Sequence, residues 1–342
     1  MNVGYSVSKL KAMIEANNAG NKAYCLDRNT INGIEKLPEL TNLNTKASMV
    51  VFQDKIHVIG GNGYATRHET WDGQKWTLLD QAPMYIENSC VIVFKDCIHV
   101  FSSASTAYKQ YHYKYDGQTW TRLSTNTPVT FASGGVCHDG NYIYLIDTNG
   151  GFYRYDVETD TYTSLKALSS GTGEGTALFY YNNEIRCFFG YVQTPYNIET
   201  NTWGSKMSNT ISTGGNLTNS GGRLALCEYF GKVYAITTNS SAPSIFEADV
   251  ITGVFTHLYS LQSDSIVTSF PCLVSYKGYL HFINGNGTKG FYRYKFGTTI
   301  SGEVQEDTFV YAPKGKSILH GDVETVEGGY IAKSDTEIVI GE

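Results

Sequence analysis

The chain has 342 residues, of which 41% are hydrophobic and 17% charged, with a formal net charge of −6. That supplies ample material for a core and argues against global disorder. Charge well below the roughly 25% of an ordinary globular chain excludes coiled coils and long helical bundles, and an acidic balance leaves no general basic field for nonspecific nucleic-acid binding.

The first predicted element is a short helix or arm over residues 1–20. Ser8 caps it, Leu10, Met13 and Ile14 form one apolar stripe, and Asn17–Gly20 ends it. This stretch has no continuous apolar run of the kind a secretory signal carries. Further along, apolar runs such as Met49–Phe52 and Cys90–Phe94 are strand-sized, short of the 18 or more residues of a membrane span. The expected location is cytoplasmic or virion-associated.

Residues 21–342 read as one domain built from repeats. Ala23–Leu37 has the pattern of an outer hairpin. Six inner hairpins then follow one template, an apolar run, a tight polar turn and a second apolar run: Met49–Gly61, Cys90–Ser102, Gly135–Asp147, Ala177–Gly190, Leu226–Thr237 and Cys272–Gly285. Equivalent positions Ile56, Ile98, Ile143, Ile185, Val233 and Leu280 are 42 to 48 residues apart. Five of the six are followed by an outer hairpin with an Asp or Asn at its turn and an aromatic after it: Asp72–Trp76, Asp116–Trp120, Asp156–Tyr162, Asn197–Trp203 and Asp249–Phe255. Asp and Asn can hydrogen-bond the backbone ahead of them, and Gly tolerates the positive φ of such turns. After the sixth hairpin stands GFYRYKF (Gly290–Phe296), nearly a copy of GFYRYD (Gly151–Asp156). Val323–Ile340 has the pattern of one more inner hairpin. Four-stranded units of about 45 residues repeated radially form a β-propeller. Counting the two chain ends as one split unit, the expectation is an all-β propeller of seven four-stranded blades, closed by N- and C-terminal strands and preceded by the short N-terminal helix.

The period, Gly60–Gly61 after an apolar strand, the Tyr-Asp before the turn and the Trp after it together resemble kelch repeats, in divergent form, over roughly residues 20–342. Gly-Gly stands only in the first blade, and the late aromatic varies as Trp, Trp, Tyr, Trp and Phe. The resemblance implies a kelch-type propeller. Kelch propellers mostly bind proteins, and some resembling enzymes are copper oxidases or sugar mutarotases.

In such a fold the turns within hairpins share one face and the loops between hairpins share the other. The first set is short here and the second long, varied and rich in Tyr, Ser, Gly and Asn, which suits recognition loops on a rigid scaffold. The expected binding residues lie on the long-loop face: Tyr64, Arg67, His68, Tyr108, Lys109 and Tyr191. The same polar loops also have a plainer reading as wet connections.

Chemical motifs are sparse. His57, His99 and His281 hold the same strand position in three units, which reads as architecture rather than metal ligation. HExxH, GxSxG, P-loop and EF-hand patterns are absent, and GTGEG (Gly171–Gly175) lacks both the strand-to-helix context and the lysine of a phosphate loop. DGQKW and DGQTW resemble the aspartate box of sialidase propellers, but the preceding serine is replaced by Glu69 and Tyr113, and arginine is scarce. Seven cysteines without a CxxC pair read as buried free thiols. No catalytic residue, metal ligand or cofactor is expected. The leading expectation is a non-catalytic binding or assembly module that presents long loops to a protein or a glycan. Low charge and Asn/Thr/Ser/Gly/Tyr-rich loops suggest, by analogy, a viral component such as a phage tail or surface protein. The alternative is a sugar-acting enzyme, a copper oxidase or mutarotase, using the axial pocket.

Overall fold

The computed structural model describes residues 27–30, 33–101, 110–169, 173, 175–213, 217, 224–229, 231–237, 243–295, 298–304, 309–311, 317–320, 323–326, 329–332 and 336–341, with side chains described over 33–294 only. The chain divides into two compact units. One comprises Lys36–Tyr276 and Leu280–Arg293; the other takes in Lys277–Tyr279 and the described residues before 36 and after 293.

The larger unit is a propeller. Strands are numbered in chain order, with β1 at Asp27–Thr30 and β2 at Gly33–Lys36. Blade 1 is β3 (Ser48–Phe52), β4 (Lys55–Ile59), β5 (His68–Trp71) and β6 (Trp76–Leu78), antiparallel and in that order from the axis outward. Blade 2 repeats it with β7 (Cys90–Phe94), β8 (Cys97–Phe101), β9 (His112–Tyr115) and β10 (Trp120–Arg122). Blade 3 holds β11 (Gly135–His138), β12 (Ile143–Ile146), β13 (Phe152–Asp156) and β14 (Thr161–Ser164). Blade 4 holds β15 (Ala177–Tyr181), β16 (Glu184–Phe189), β17 (Val192–Asn197) and β18 (Thr202–Trp203), with β19 (Met207–Ser208) also on β17. In blade 5, β20 (Thr210–Ile211) joins β21 (Ala225–Tyr229), β22 (Lys232–Ile236), β23 (Ser244–Asp249) and β24 (Val254–Ser260) as a fifth, parallel strand.

Blade 6 decides the blade number. It has three strands of its own, β25 (Cys272–Tyr276), β26 (Tyr279–Ile283) and β27 (Phe291–Lys295), and its outer strand is β2. Past β2, the Leu37 and Leu40 amides continue the join by donating to the Phe291 and Lys289 carbonyls at 2.9 and 3.0 Å. The innermost strands then follow one another round a closed ring, β3 beside β7, β7 beside β11, and so on to β25, which returns to β3.

The propeller therefore has six blades of four or five strands, not the seven expected. GFYRYKF lacks a partner strand after it, and the N-terminal segment fills that vacancy instead of beginning a seventh blade. The C-terminal pattern 323–340 does form strands, but elsewhere. β28 (Thr298–Val304), β29 (Phe309–Tyr311), β30 (Ser317–His320), β31 (Val323–Val326), β32 (Gly329–Ala332) and β33 (Thr336–Gly341) belong to the smaller unit, in sheets ordered β1-β28-β33-β30 and β29-β32-β31. The described residues contain no α-helix, only a 3-10 turn at Leu261–Asp264. The helix expected over 1–20 lies outside the described residues.

The local chemistry behaves as the turn residues require. Asp72 Oδ1 accepts from the Gln74 and Lys75 amides at 2.8 and 2.9 Å, and Asp116 and Asp249 repeat the arrangement. Gly60 has φ +70°, and a Cβ there would stand 1.9 Å from the Ile86 carbonyl oxygen. In blade 6 Gly285 has φ +64°, and a Cβ there would stand 2.0 Å from the carbonyl oxygen of Phe270, on the connector entering the same blade. Only glycine fits at these two places, where the end of a second strand passes close to an inter-blade connector.

Apolar side chains pack between blades. Met49, Ile56 and Trp71 of the first blade meet Tyr276, Ile283 and Phe291 of the sixth in one cluster, with Leu40 of the connector between them. The late aromatics bind these wedges together. Trp76 lies 4.9 Å from the Phe291 ring and donates its indole N–H to Pro38 O at 2.9 Å, and Trp203 lies 5.0 Å from Phe152 of blade 3. Burying such rings contributes on the order of 2 kcal/mol or more apiece.

Candidate functional site

In each blade the first and third strands run away from the long-loop face, so the starts of β3, β7, β11, β15, β21 and β25 ring the axis on that side. They enclose a cavity of ≈ 150 Å³ whose wall is formed by Met49, Cys90, Val136, Leu178, Leu226 and Leu273 with their neighbours. Deeper along the axis a second cavity of ≈ 290 Å³ is bounded by Val51, Val93, Cys227 and Val274, among others. Neither wall includes a His, Tyr, Arg, Asp or Glu. The axial thiols are committed to backbone: Cys90 and Cys272 donate to the Phe131 and Ala47 carbonyls at 3.3 Å. Burial pushes the Cys227 thiol up to about 12. Among the described residues no group of three His, Cys, Asp or Glu is placed to hold a metal ion.

The apolar character extends onto the face around this mouth. Eight large hydrophobic side chains are exposed among the described residues, and six of them lie on long-loop-face connections: Leu43, Tyr64, Tyr85, Phe189, Tyr191 and Val267. Leu43 and Val267 precede the inner strands of blades 1 and 6. Tyr64 sits between β4 and β5, Tyr85 between blades 1 and 2, and Phe189 and Tyr191 flank the β16–β17 turn across the ring. Of these eight described side chains, Ile251 lies on the opposite face and Leu78 on an outer strand.

The six residues expected from sequence fall into three groups. Tyr64 and Tyr191 are exposed, at 40% and 54%. Tyr108 and Lys109 lie outside the described residues. Arg67 and His68 are buried, at 4% and 0%, and face the interior beneath the loops.

Arg67 forms a buried frame with Glu69 and Thr41. Its Nη1 donates to Asn42 O and Leu43 O at 3.1 and 3.0 Å and lies 3.4 Å from Glu69 Oε1. Glu69 Oε2 accepts from the Thr41 amide and hydroxyl at 3.1 and 2.7 Å. The pair thus clamps the 41–43 connector that presents Leu43. Burial lowers the Arg67 pKa and Glu69 draws it back up. Arg67 and Glu69 are two apart across the start of a strand, so alternation alone places them on one side, a signal present in the sequence. Asn44 anchors the next loop: its Oδ1 accepts from Gly285 N at 2.6 Å and its Nδ2 donates to Thr288 O at 2.6 Å.

His68 hydrogen-bonds His57, Nε2 to Nδ1, at 2.8 Å, with its ring edge-on to Tyr115 and Trp120 of blade 2. Blade 2 repeats the device. His99 Nδ1 meets His112 Nε2 at 3.0 Å, and His112 Nδ1 meets the Tyr162 hydroxyl of blade 3 at 2.9 Å. Desolvation lowers His57 and His99 to about 4 and His68 to about 3. These are neutral, packed imidazoles that join second and third strands.

No family model matches the chain, and no curated protein matches it. A solved structure titled "Structure of YjhT" aligns with a TM-score of 0.55 at 12% identity, covering 78% of this chain and 96% of that one. At that identity the likeness carries the fold. Most of the chain forms a six-bladed β-propeller. The propeller's described residues include no helix long and apolar enough to cross a membrane.

Proposed function

We propose that the propeller is a kelch-type, non-catalytic binding or assembly module whose long-loop face holds a protein or glycan partner. The observation that carries this reading is the gathering of six of eight exposed large hydrophobic side chains on that face, round an apolar axial mouth. Exposed apolar groups concentrated in one place mark interaction surfaces, and tyrosines supply contact area at small entropic cost. The partner places apolar or ring-shaped groups over Tyr64, Tyr85 and Tyr191, while Arg67 and His68 serve from beneath by fixing the loops. By the analogy with virus particles, the partner is another particle component or a host-surface glycan.

The alternative, a sugar-acting oxidase or mutarotase, calls for His, Tyr, Arg or Glu converging on the axis. The described axial wall offers none of these, which favours the binding reading. The test compares the wild-type chain with a Leu43→Ser/Tyr64→Ala/Tyr85→Ala/Tyr191→Ala variant, both immobilised, for retention of proteins from lysate and of cell-surface glycans. Loss of a stoichiometric partner in the variant supports the proposal. Equal retention overturns it.

A further inference from the structure

The outer edge of blade 4 is irregular, as is that of blade 5, where the β23–β24 register shifts between Ile245 and Phe246. β18 pairs with β17 through Trp203 opposite Tyr196 and Thr202 opposite Asn197. Pairing resumes at β19, with Met207 opposite Gln193 and Ser208 opposite Val192. Between these points Thr194 and Pro195 face Gly204, Ser205 and Lys206, two residues against three, which is a β-bulge. Gly204 N–H still donates to Pro195 O at 2.8 Å, but proline has no N–H to return. Bulges re-aim side chains and recur beside binding sites.

This bulge borders a groove of ≈ 420 Å³ on the flank between blades 3 and 4, a size typical of small-molecule sites. Lys166 and Ser169, from the chain leaving β14, form one side; Thr194, Thr202, Trp203 and Lys206 form the other. Three lysines elsewhere are paired: Lys36, Lys95 and Lys232 each reach a glutamate at 2.6–3.0 Å. Lys166 and Lys206, both exposed, have no acidic partner among the described residues, and both border this one groove in a chain of net charge −6. Trp203 is held firmly there, its indole N–H donating to Lys166 O at 2.7 Å and its ring 4.9 Å from Tyr196. Lysine on an outer strand can serve simply to block edge-to-edge pairing. That accounts for Lys206 but not for Lys166, which sits on a connector.

We propose that this groove binds a carboxylated or sulfated polysaccharide. The ammonium groups of Lys166 and Lys206 take the anionic substituents, the hydroxyls of Ser169, Thr194 and Thr202 meet ring hydroxyls, and the edge of Trp203 lies against an apolar sugar face. An acidic peptide fits less well, because Ser169, Thr194 and Thr202 line the groove with hydroxyls suited to ring hydroxyls rather than to a peptide's apolar side chains. The site is separate from the long-loop face and does not depend on the function proposed for it.

Titration calorimetry with heparin oligosaccharides tests this, with neutral dextran and polyglutamate of similar length as comparison ligands. The wild-type chain binds the heparin probe, with affinity falling as salt rises. Lys166→Gln/Lys206→Gln weakens binding at least tenfold, and Lys95→Gln/Lys232→Gln leaves it unchanged. Both double variants alter exposed side chains, and matching thermal unfolding confirms that they are folded. No binding by the wild-type chain, or equal binding by the Lys166/Lys206 variant, overturns the site. Equal or tighter binding of polyglutamate overturns the assignment to a polysaccharide, and equal binding of dextran overturns the role of charge.

Discussion

Glu69→Ala separates the two roles open to Arg67, ligand contact or loop anchor. The substitution deletes the acceptor of two Thr41 hydrogen bonds and, among the described residues, the one carboxylate paired with a guanidinium whose side chain is 2% exposed. A hydrogen bond to a charged group contributes about 1.5–3 kcal/mol. Leaving one member of a buried ion pair uncompensated costs about 3–5 kcal/mol. These overlap rather than add, so a loss of about 3–5 kcal/mol is expected, mostly through the stranded Arg67. Arg67→Met/Glu69→Leu removes both charges at similar volume, so its cost falls well short of the sum of the single changes. A double-mutant cycle by urea denaturation should give a coupling of about 2 kcal/mol or more. Additive effects, or a Glu69→Ala loss below about 1 kcal/mol, would refute the claim that this pair is architectural.

Two further outcomes follow from the packing. The buried histidines His57, His68 and His99 have folded pKa values of about 4, 3 and 4, below the ordinary 6.5, because burial disfavours the charged ring. As pH falls through 6.5 the unfolded chain takes up protons that the folded chain refuses. Stability is therefore full above about pH 6.5 and drops towards pH 4, by up to about 1.4 kcal/mol per pH unit per histidine; denaturation midpoints at pH 7.5 and 4.5 measure it, and equal midpoints contradict it. Removal of residues 1–37 takes away the outer strand of blade 6 and should broaden the urea transition and lower its midpoint, whereas an unchanged transition would contradict closure by β2.

The blades themselves were legible in sequence because their cause is local. Period-2 apolar runs, Asx turns and a closing aromatic are each written within a dozen residues, and all six inner hairpins stand where the pattern placed them. Blade number was not local. It depends on which strand fills the outer place beside Phe291, and Ala23–Leu37 carries the same outer-hairpin pattern whether it completes blade 6 or begins a seventh. Only the pairing of residues more than 240 positions apart distinguishes these. The site was legible in part for a similar reason. Loop position marked Tyr64 and Tyr191, both exposed, but it could not reveal that Arg67 and His68, three and four residues past Tyr64, turn inward as β5 begins. Polar residues at the first position of a strand look like loop residues until their partners are known. Leu43, Tyr85, Phe189 and Val267 went unmarked because single exposed apolar residues are ordinary, and only their gathering on one face is informative.

The clamps beneath the long-loop face bear on how the face would bind the partner proposed for it. Arg67 and Glu69 hold the connector carrying Leu43, and Asn44 holds the 284–288 loop by two 2.6 Å bonds. Each of these side chains is at most 4% exposed and none is free to reorient toward a ligand. The ordering of these connectors is thus met when the chain folds rather than when a partner arrives. A surface fixed in this way loses less entropy on binding, and a given contact area then yields tighter association. On the proposed binding reading, the clamps formed by Arg67, Glu69 and Asn44 thus hold the apolar residues above them in place in advance of a partner.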